Sequence, residues 1–174
     1  MKRLLLAAAV SLLTAASAMA QTVYLVRHGE KADASADPAL SEAGQARARQ
    51  LALALADAHP GYVFTSPLQR TRLTAEPTAD YHSVTVQPVG FDGGTPAHVA
   101  AIVARVRALP EDAVVLIVGH SNTVPLIARA LGYAEAADMP DCEYDRMTVL
   151  HLMGEGSAHG QVSRYGVPTP CEPA

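Results

Sequence analysis

Residues 113–118 read Ala-Val-Val-Leu-Ile-Val, six apolar residues in succession, closed by Gly119-His120. A strand with one face in water alternates polar and apolar side chains, so an unbroken run of this length marks a strand buried on both faces. Such a strand needs helices above and below its sheet. The rest of the chain supplies them, because strand and helix signals alternate along it. Val23–Val26, Tyr62–Thr65 and Val84–Val86 read as further strands. Ser41–Ala56 reads as a helix capped by Ser41, and Gln69–Ala75 as a second helix. Thr95–Leu109 reads as a third, with Pro96 at its favoured first position, and Asn122–Leu131 as a fourth that Gly132 stops. Met147–Leu152 and Gln161–Tyr165 are late strands joined by a glycine-containing turn. The expected fold class is α/β: a three-layer α/β/α sandwich around a mainly parallel sheet of about six strands.

The first twenty residues have the grammar of an export signal. Lys2 and Arg3 give a positive start, Leu4–Ala16 an apolar stretch, and Ala18-Met19-Ala20 a small-residue cleavage site. The apolar stretch is shorter than the roughly 20 residues that cross a bilayer, so no stable membrane anchor is expected; an uncleaved anchor is the alternative. Residues 21–174 then form a single domain, periplasmic or secreted. Lys2 and Arg3 account for two of the 13 basic residues, which leaves 11 against 17 acidic ones, a net charge of −6. With no basic run, nucleic acid is excluded as a partner. Cys142 and Cys171 are the only cysteines. In an oxidising compartment they suit a disulfide that ties the tail to the 139–142 loop, with two free thiols as the alternative. Neither has a Cys or His neighbour at metal-ligand spacing.

Two strands end in a histidine beside glycine: Arg27-His28-Gly29 and Gly119-His120-Ser121. Arg70 follows the Tyr62–Thr65 strand in Ser66-Pro-Leu-Gln-Arg70-Thr-Arg. In a parallel sheet all three segments emerge at one edge, where open α/β sheets bind ligands. Two arginines offer planar forks for phosphate oxygens, and glycine permits close backbone approach. These are the ingredients of a phosphate pocket.

Four blocks then carry a resemblance: Val26-Arg27-His28-Gly29-Glu30, Leu40-Ser-Glu-Ala-Gly44-Gln-Ala-Arg47, Ser66–Ala75 and Val118-Gly119-His120. In this order and spacing, over most of residues 22–131, the chain resembles the histidine phosphatase superfamily, which includes cofactor-dependent phosphoglycerate mutases and phosphohistidine phosphatases. With little inserted between Arg70 and His120, it is similar to the short, phosphohistidine phosphatase-like branch. The resemblance implies that one late strand is antiparallel. It assigns His28 as nucleophile, and Arg27, Arg70 and a protonated His120 as phosphate ligands. It implies hydrolysis of phosphomonoesters or phosphoramidates through a phosphohistidine, with no metal or other cofactor.

The proton donor is not fixed by a motif. Asp92, after the third strand, is the first candidate general acid, Glu30 the second and Asp145 the third. Arg47 and Arg72 are expected on helices outside the chemistry, and His59, His82, His98, His151 and His159 match no motif. The expected partner is a small phosphorylated substrate such as a sugar phosphate or envelope glycolipid. The other reading is a phosphate- or anion-binding protein on a degenerate scaffold with little turnover. The sequence leaves the oligomeric state open.

Overall fold

The computed structural model describes residues 20–153, 156–169 and 171. The expected export signal therefore lies, Ala20 apart, outside the described residues. The elements run β1 (Gln21–Arg27), α1 (Glu42–Ala54), β2 (Tyr62–Thr65), α2 (Gln69–His82), β3 (Val86–Pro88) and α3 (Gly94–Arg107). They continue with β4 (Val114–Gly119), α4 (Thr123–Ala130), β5 (Arg146–Leu152) and β6 (Ala158–Arg164).

One sheet holds all six strands in the order β3-β2-β4-β1-β5-β6. The apolar run is indeed central: β4 pairs parallel with β1 on one side and β2 on the other, Ile117 lying between Leu25 and Phe64. β5 runs antiparallel to β1, and β6 antiparallel to β5. Successive β4 residues point to opposite faces, and each face has its own apolar cluster. Val115 and Ile117 pack with Val23, Leu25 and Phe64 beneath α3 and α4 (Ile102, Val106, Ile127, Leu131). Leu116 and Val118 pack with Val26 and Val63 beneath α1 and α2 (Leu51, Leu55, Ala75, Ala79). Both faces are dry, which is why the β4 sequence does not alternate.

Several boundaries differ from the sequence reading, β1 for one starting at Gln21 rather than Val23. α2 does not stop at Ala75 but runs through Pro77 to His82. Its Thr74, Ala75, Thr78 and Ala79 face is buried, so packing outweighs the proline penalty. β3 starts two residues later than expected because Ser83 and Val84 finish that helix: Ser83 takes φ 56° and the Val84 amide donates to the Ala79 carbonyl at 2.9 Å. α3 begins at Gly94, so Pro96 is its third residue, still in the first turn where a missing N–H costs nothing. β6 occupies 158–164 rather than 161–165.

Candidate active site

In the parallel part of the sheet, Arg27 stands opposite Gly119 and Thr65 opposite Val118, so β1, β2 and β4 end side by side. The turn after β1 is shaped by two glycines. A Cβ on Gly29 would lie 2.9 Å from the Gly44 carbonyl oxygen, and one on Gly44 would lie 2.3 Å from the Glu30 carbonyl oxygen. The Arg-His-Gly turn and the start of α1 thus press backbone to backbone. The Gly29 amide donates to Thr74 Oγ1 (2.9 Å), and the His28 amide to the Gly119 carbonyl (3.0 Å).

His28 is buried at the cleft floor, with 3% of its surface exposed. Its Nδ1 lies 2.7 Å from the Gly29 carbonyl. A carbonyl only accepts, so Nδ1 carries the proton and Nε2 keeps its lone pair. Burial is the main reason its pKa falls to about 4, and Arg27 and Arg70 add to the effect against the Gly29 bond. His28 is therefore a neutral imidazole at physiological pH.

His120 packs edge-on at 5.3 Å between ring centroids. Its Nε2 is 3.0 Å from Ser66 Oγ, which is 2.9 Å from Thr71 Oγ1. The Thr71 hydroxyl donates to a carbonyl, Leu68 at 2.8 Å or Ser66 at 3.0 Å. Its one proton being spent, Ser66 donates to Thr71 and His120 Nε2–H donates to Ser66. Burial, then His28 and Arg70, push the His120 pKa down to about 3. The surrounding groups therefore favour the neutral ring, and the protonated His120 expected from sequence requires an anion to raise it.

Arg27 is almost fully buried and is held by the loop before β5. Its guanidinium donates to the carbonyls of Asp141 (2.5 Å) and Pro140 (3.3 Å) and lies 4.2 Å from the centre of the Tyr144 ring. Arg70 enters from the first turn of α2, near Asp37 (3.9 Å) and the Ala36 carbonyl (3.5 Å). Arg27, His28, Arg70 and His120 together line a cleft of about 300 Å³, with Lys31, Phe91 and Asp141 at its walls. Three cations around one opening make an anion site despite the acidic chain.

The carboxylates named from sequence lie elsewhere. Glu30 forms a forked pair with the buried Arg47, with contacts of 2.7 and 3.0 Å. Asp145 is buried and bound by Arg164 at 2.8 Å. Asp92 is exposed in the turn before α3, its carboxylate over Gly90, and it does not line the cleft. None of the three general-acid candidates named from sequence, Asp92, Glu30 and Asp145, lines the cleft. The lining carboxylate is Asp141, which accepts from Ser121 Oγ at 2.6 Å and lies 3.6 Å from Arg27. The Ser121 bond, then Arg27, hold its pKa below the usual carboxylate range. Neither Asp141 nor Lys31 carries a local sequence signal, whereas Ser66, Thr71 and Thr74 sit inside a quoted block. His98 is buried beneath the cleft, its Nδ1 3.0 Å from the Gly90 carbonyl and its ring stacked on Phe91 at 4.2 Å.

Cys142 and Cys171 are bridged, with 5.4 Å between Cα atoms. Tyr144, two residues on, also takes a contact from the tail: its amide donates to Thr169 Oγ1 at 3.3 Å. No group of three His, Cys, Asp or Glu side chains among the described residues is arranged to hold a metal ion.

The histidine phosphatase superfamily (branch 1) model matches residues 23–90. Among solved structures, the protein histidine phosphatase SixA complexed with tungstate superposes with a TM-score of 0.64 at 21% identity, over 82% of this chain and 96% of that one. A mycobacterial glucosyl-3-phosphoglycerate phosphatase in complex with VO3 gives 0.61 at 17%, over 81% and 96%. A mycobacterial hydrolase gives 0.59 at 16%, over 86% and 100%. At these identities the shared property is the fold. No curated protein matches the chain by sequence. The matched segment ends just past β3, and β4 adds His120 to the same sheet edge; the chain is thus similar to the histidine phosphatase superfamily over residues 23–90 and shares its fold with the phosphatase structures.

Proposed function

We propose that the protein is a phosphatase that hydrolyses small phosphate monoesters or phosphoramidates through a phosphohistidine on His28. The observation that carries this reading is the state of His28: a neutral ring with its Nδ1 proton tied to Gly29, held between two arginines. In the first step Nε2 attacks phosphorus in line, the N–P bond forms, and the bond to the leaving group breaks. Arg27 and Arg70 neutralise the oxygens over which charge spreads. His120 takes up a proton as the dianion enters and becomes a further donor. In the second step water attacks phosphorus, its proton passes to the Asp141 carboxylate, and His28 leaves as neutral imidazole because Nδ1 kept its proton.

The scheme uses only side chains of this chain, so turnover is expected without a metal. The SixA and glucosyl-3-phosphoglycerate phosphatase structures hold tungstate and VO3, oxyanions of the kind this cleft suits. The N-terminal segment and the disulfide support an exported protein. The second reading, an anion-binding protein with little turnover, draws on the displacement of Asp92 and Glu30 from the cleft.

The test is hydrolysis of p-nitrophenyl phosphate between pH 4.5 and 8 with EDTA present, by wild type and His28→Ala, with acid-quenched mass analysis for phosphoenzyme. Turnover and a phosphoenzyme in wild type, both absent from the variant, are expected. Phosphate binding by folded wild type without turnover would establish the binding reading instead.

A further inference from the structure

A second cleft, of about 390 Å³, opens beside the first. Ser121, Asn122 and Asp141 border both, so the two are continuous. Beyond that shared rim the lining turns apolar, with Pro125 and Leu126 from α4 and Met139 from the loop before β5. Leu126 is 40% exposed, whereas Val124, Pro125, Ile127 and Ala128 of the same short helix are buried. Asp138, at the far rim, is paired with Arg129 at 2.5 Å, which offsets its charge. A substrate whose phosphate sits between Arg27, His28, Arg70 and His120 has this apolar cleft as the neighbouring space for the group it releases.

The proton inventory narrows that group. Glu30 and Asp145 are bound to arginines, and Asp92 lies outside the cleft. Asp141, on the shared rim, accepts from Ser121 and lies near Arg27, both of which favour its ionised form. Before an anion enters, the two histidines are neutral, with the N–H of each committed to a neighbour. Among the described residues the cleft holds no protonated carboxylic acid for a departing alkoxide; its remaining proton sources are the Lys31 ammonium and a His120 that must first take up a proton. A leaving oxygen that is stable as an anion removes the need. Phenols ionise near pH 10, far below aliphatic alcohols, and their ring supplies a flat apolar surface.

We propose that the cleft formed by Pro125, Leu126 and Met139 is the leaving-group subsite, and that it selects phosphate esters of aromatic alcohols over those of aliphatic ones. The proposal rests on His28 being the nucleophile. The His28 Nε2–P bond forms as the P–O(aryl) bond breaks, the electron pair departs on the phenolate oxygen, and solvent protonates it outside the cleft.

Three probes test this with the intact, oxidised protein. 1-Naphthyl phosphate has a ring and a good leaving group, acetyl phosphate a good leaving group without a ring, and glycerol phosphate neither. Wild type is expected to favour naphthyl over glycerol phosphate by about a hundredfold in kcat/KM. Leu126→Asp is expected to lower the naphthyl-to-acetyl phosphate ratio about tenfold, the effect of losing a small apolar contact. Equal turnover of the naphthyl and glycerol esters, or a ratio unchanged in Leu126→Asp, would overturn the subsite while leaving the nucleophile standing. Turnover of none of the three would overturn both. The wild-type comparison does not depend on how the variant folds.

Discussion

The chemistry of this site turns on where single protons sit. His28 gives its Nδ1 proton to the Gly29 carbonyl and faces the cleft as a free base, while His120 gives Nε2–H to a hydroxyl relay ending on a backbone carbonyl. Replacing His28 with Ala is expected to abolish turnover of p-nitrophenyl phosphate. Arg70→Ala should lower kcat by about 10²–10³, the cost of one lost preorganised donor, measured on the same ester. The histidine pKa values also predict a pH effect. Both are lowered, so between the ordinary value of 6.5 and about 4 the unfolded chain binds protons that the folded chain does not. Stability is then complete above pH 6.5 and is lost as pH falls through this window. Urea denaturation at pH 7.5, 6 and 5 should show it, and ring-proton NMR should place the His28 midpoint near 4 rather than 6.5. At this scale His28, His120, Arg27 and Arg70 were legible because each lies beside a strand end inside a short motif. Asp141 was not: its place depends on how the loop before an antiparallel strand folds back, and no local pattern encodes that.

At the scale of elements, the motif glycines and Glu30 take structural parts that their closeness to His28 conceals. Glu30 looks like an acid in sequence, two residues from the nucleophile. In the fold it is one half of a forked pair with Arg47 of α1, and the Gly29–Gly44 contact brings that helix close enough to make it. Glu30→Gln is expected to leave kcat within a few-fold of wild type while costing about 3 kcal/mol of stability, because the Arg47 charge is left buried. Parallel activity and denaturation measurements separate the two outcomes. Gly44→Ala should act on the same contact and destabilise as strongly. Two boundaries that differed from the sequence reading, the end of α2 and the start of β3, have a common origin. Pro77 ought to end α2, yet the Thr74–Thr78–Ala79 face is buried, and the closing residues Ser83 and Val84 are then unavailable to β3. Local signals say where a helix can stop, and the packing of its buried face decides where it does.

At the scale of the molecule, the strand order β3-β2-β4-β1-β5-β6 gathers three strand ends into one cleft and sends β5 back past it. The alternation of apolar strands and capped helices was enough to anticipate the layers, and one long apolar strand was enough to place the centre. Reduction of the Cys142–Cys171 bridge releases a loop spanning 29 positions of sequence, which is worth roughly 3.5 kcal/mol in chain entropy. A thermal melt with reductant should fall by roughly 10 °C, and Cys142→Ser should reproduce the shift.

The same bridge has a consequence for the anion site. Cys142 lies between Asp141, whose carbonyl grips Arg27, and Tyr144, whose ring backs it. One cross-link therefore braces the guanidinium that must meet the phosphate. In a newly made chain, before oxidation, Arg27 lacks that brace. Reduction is therefore expected to reach the anion site as well as the fold, so that phosphate affinity falls together with the melting temperature.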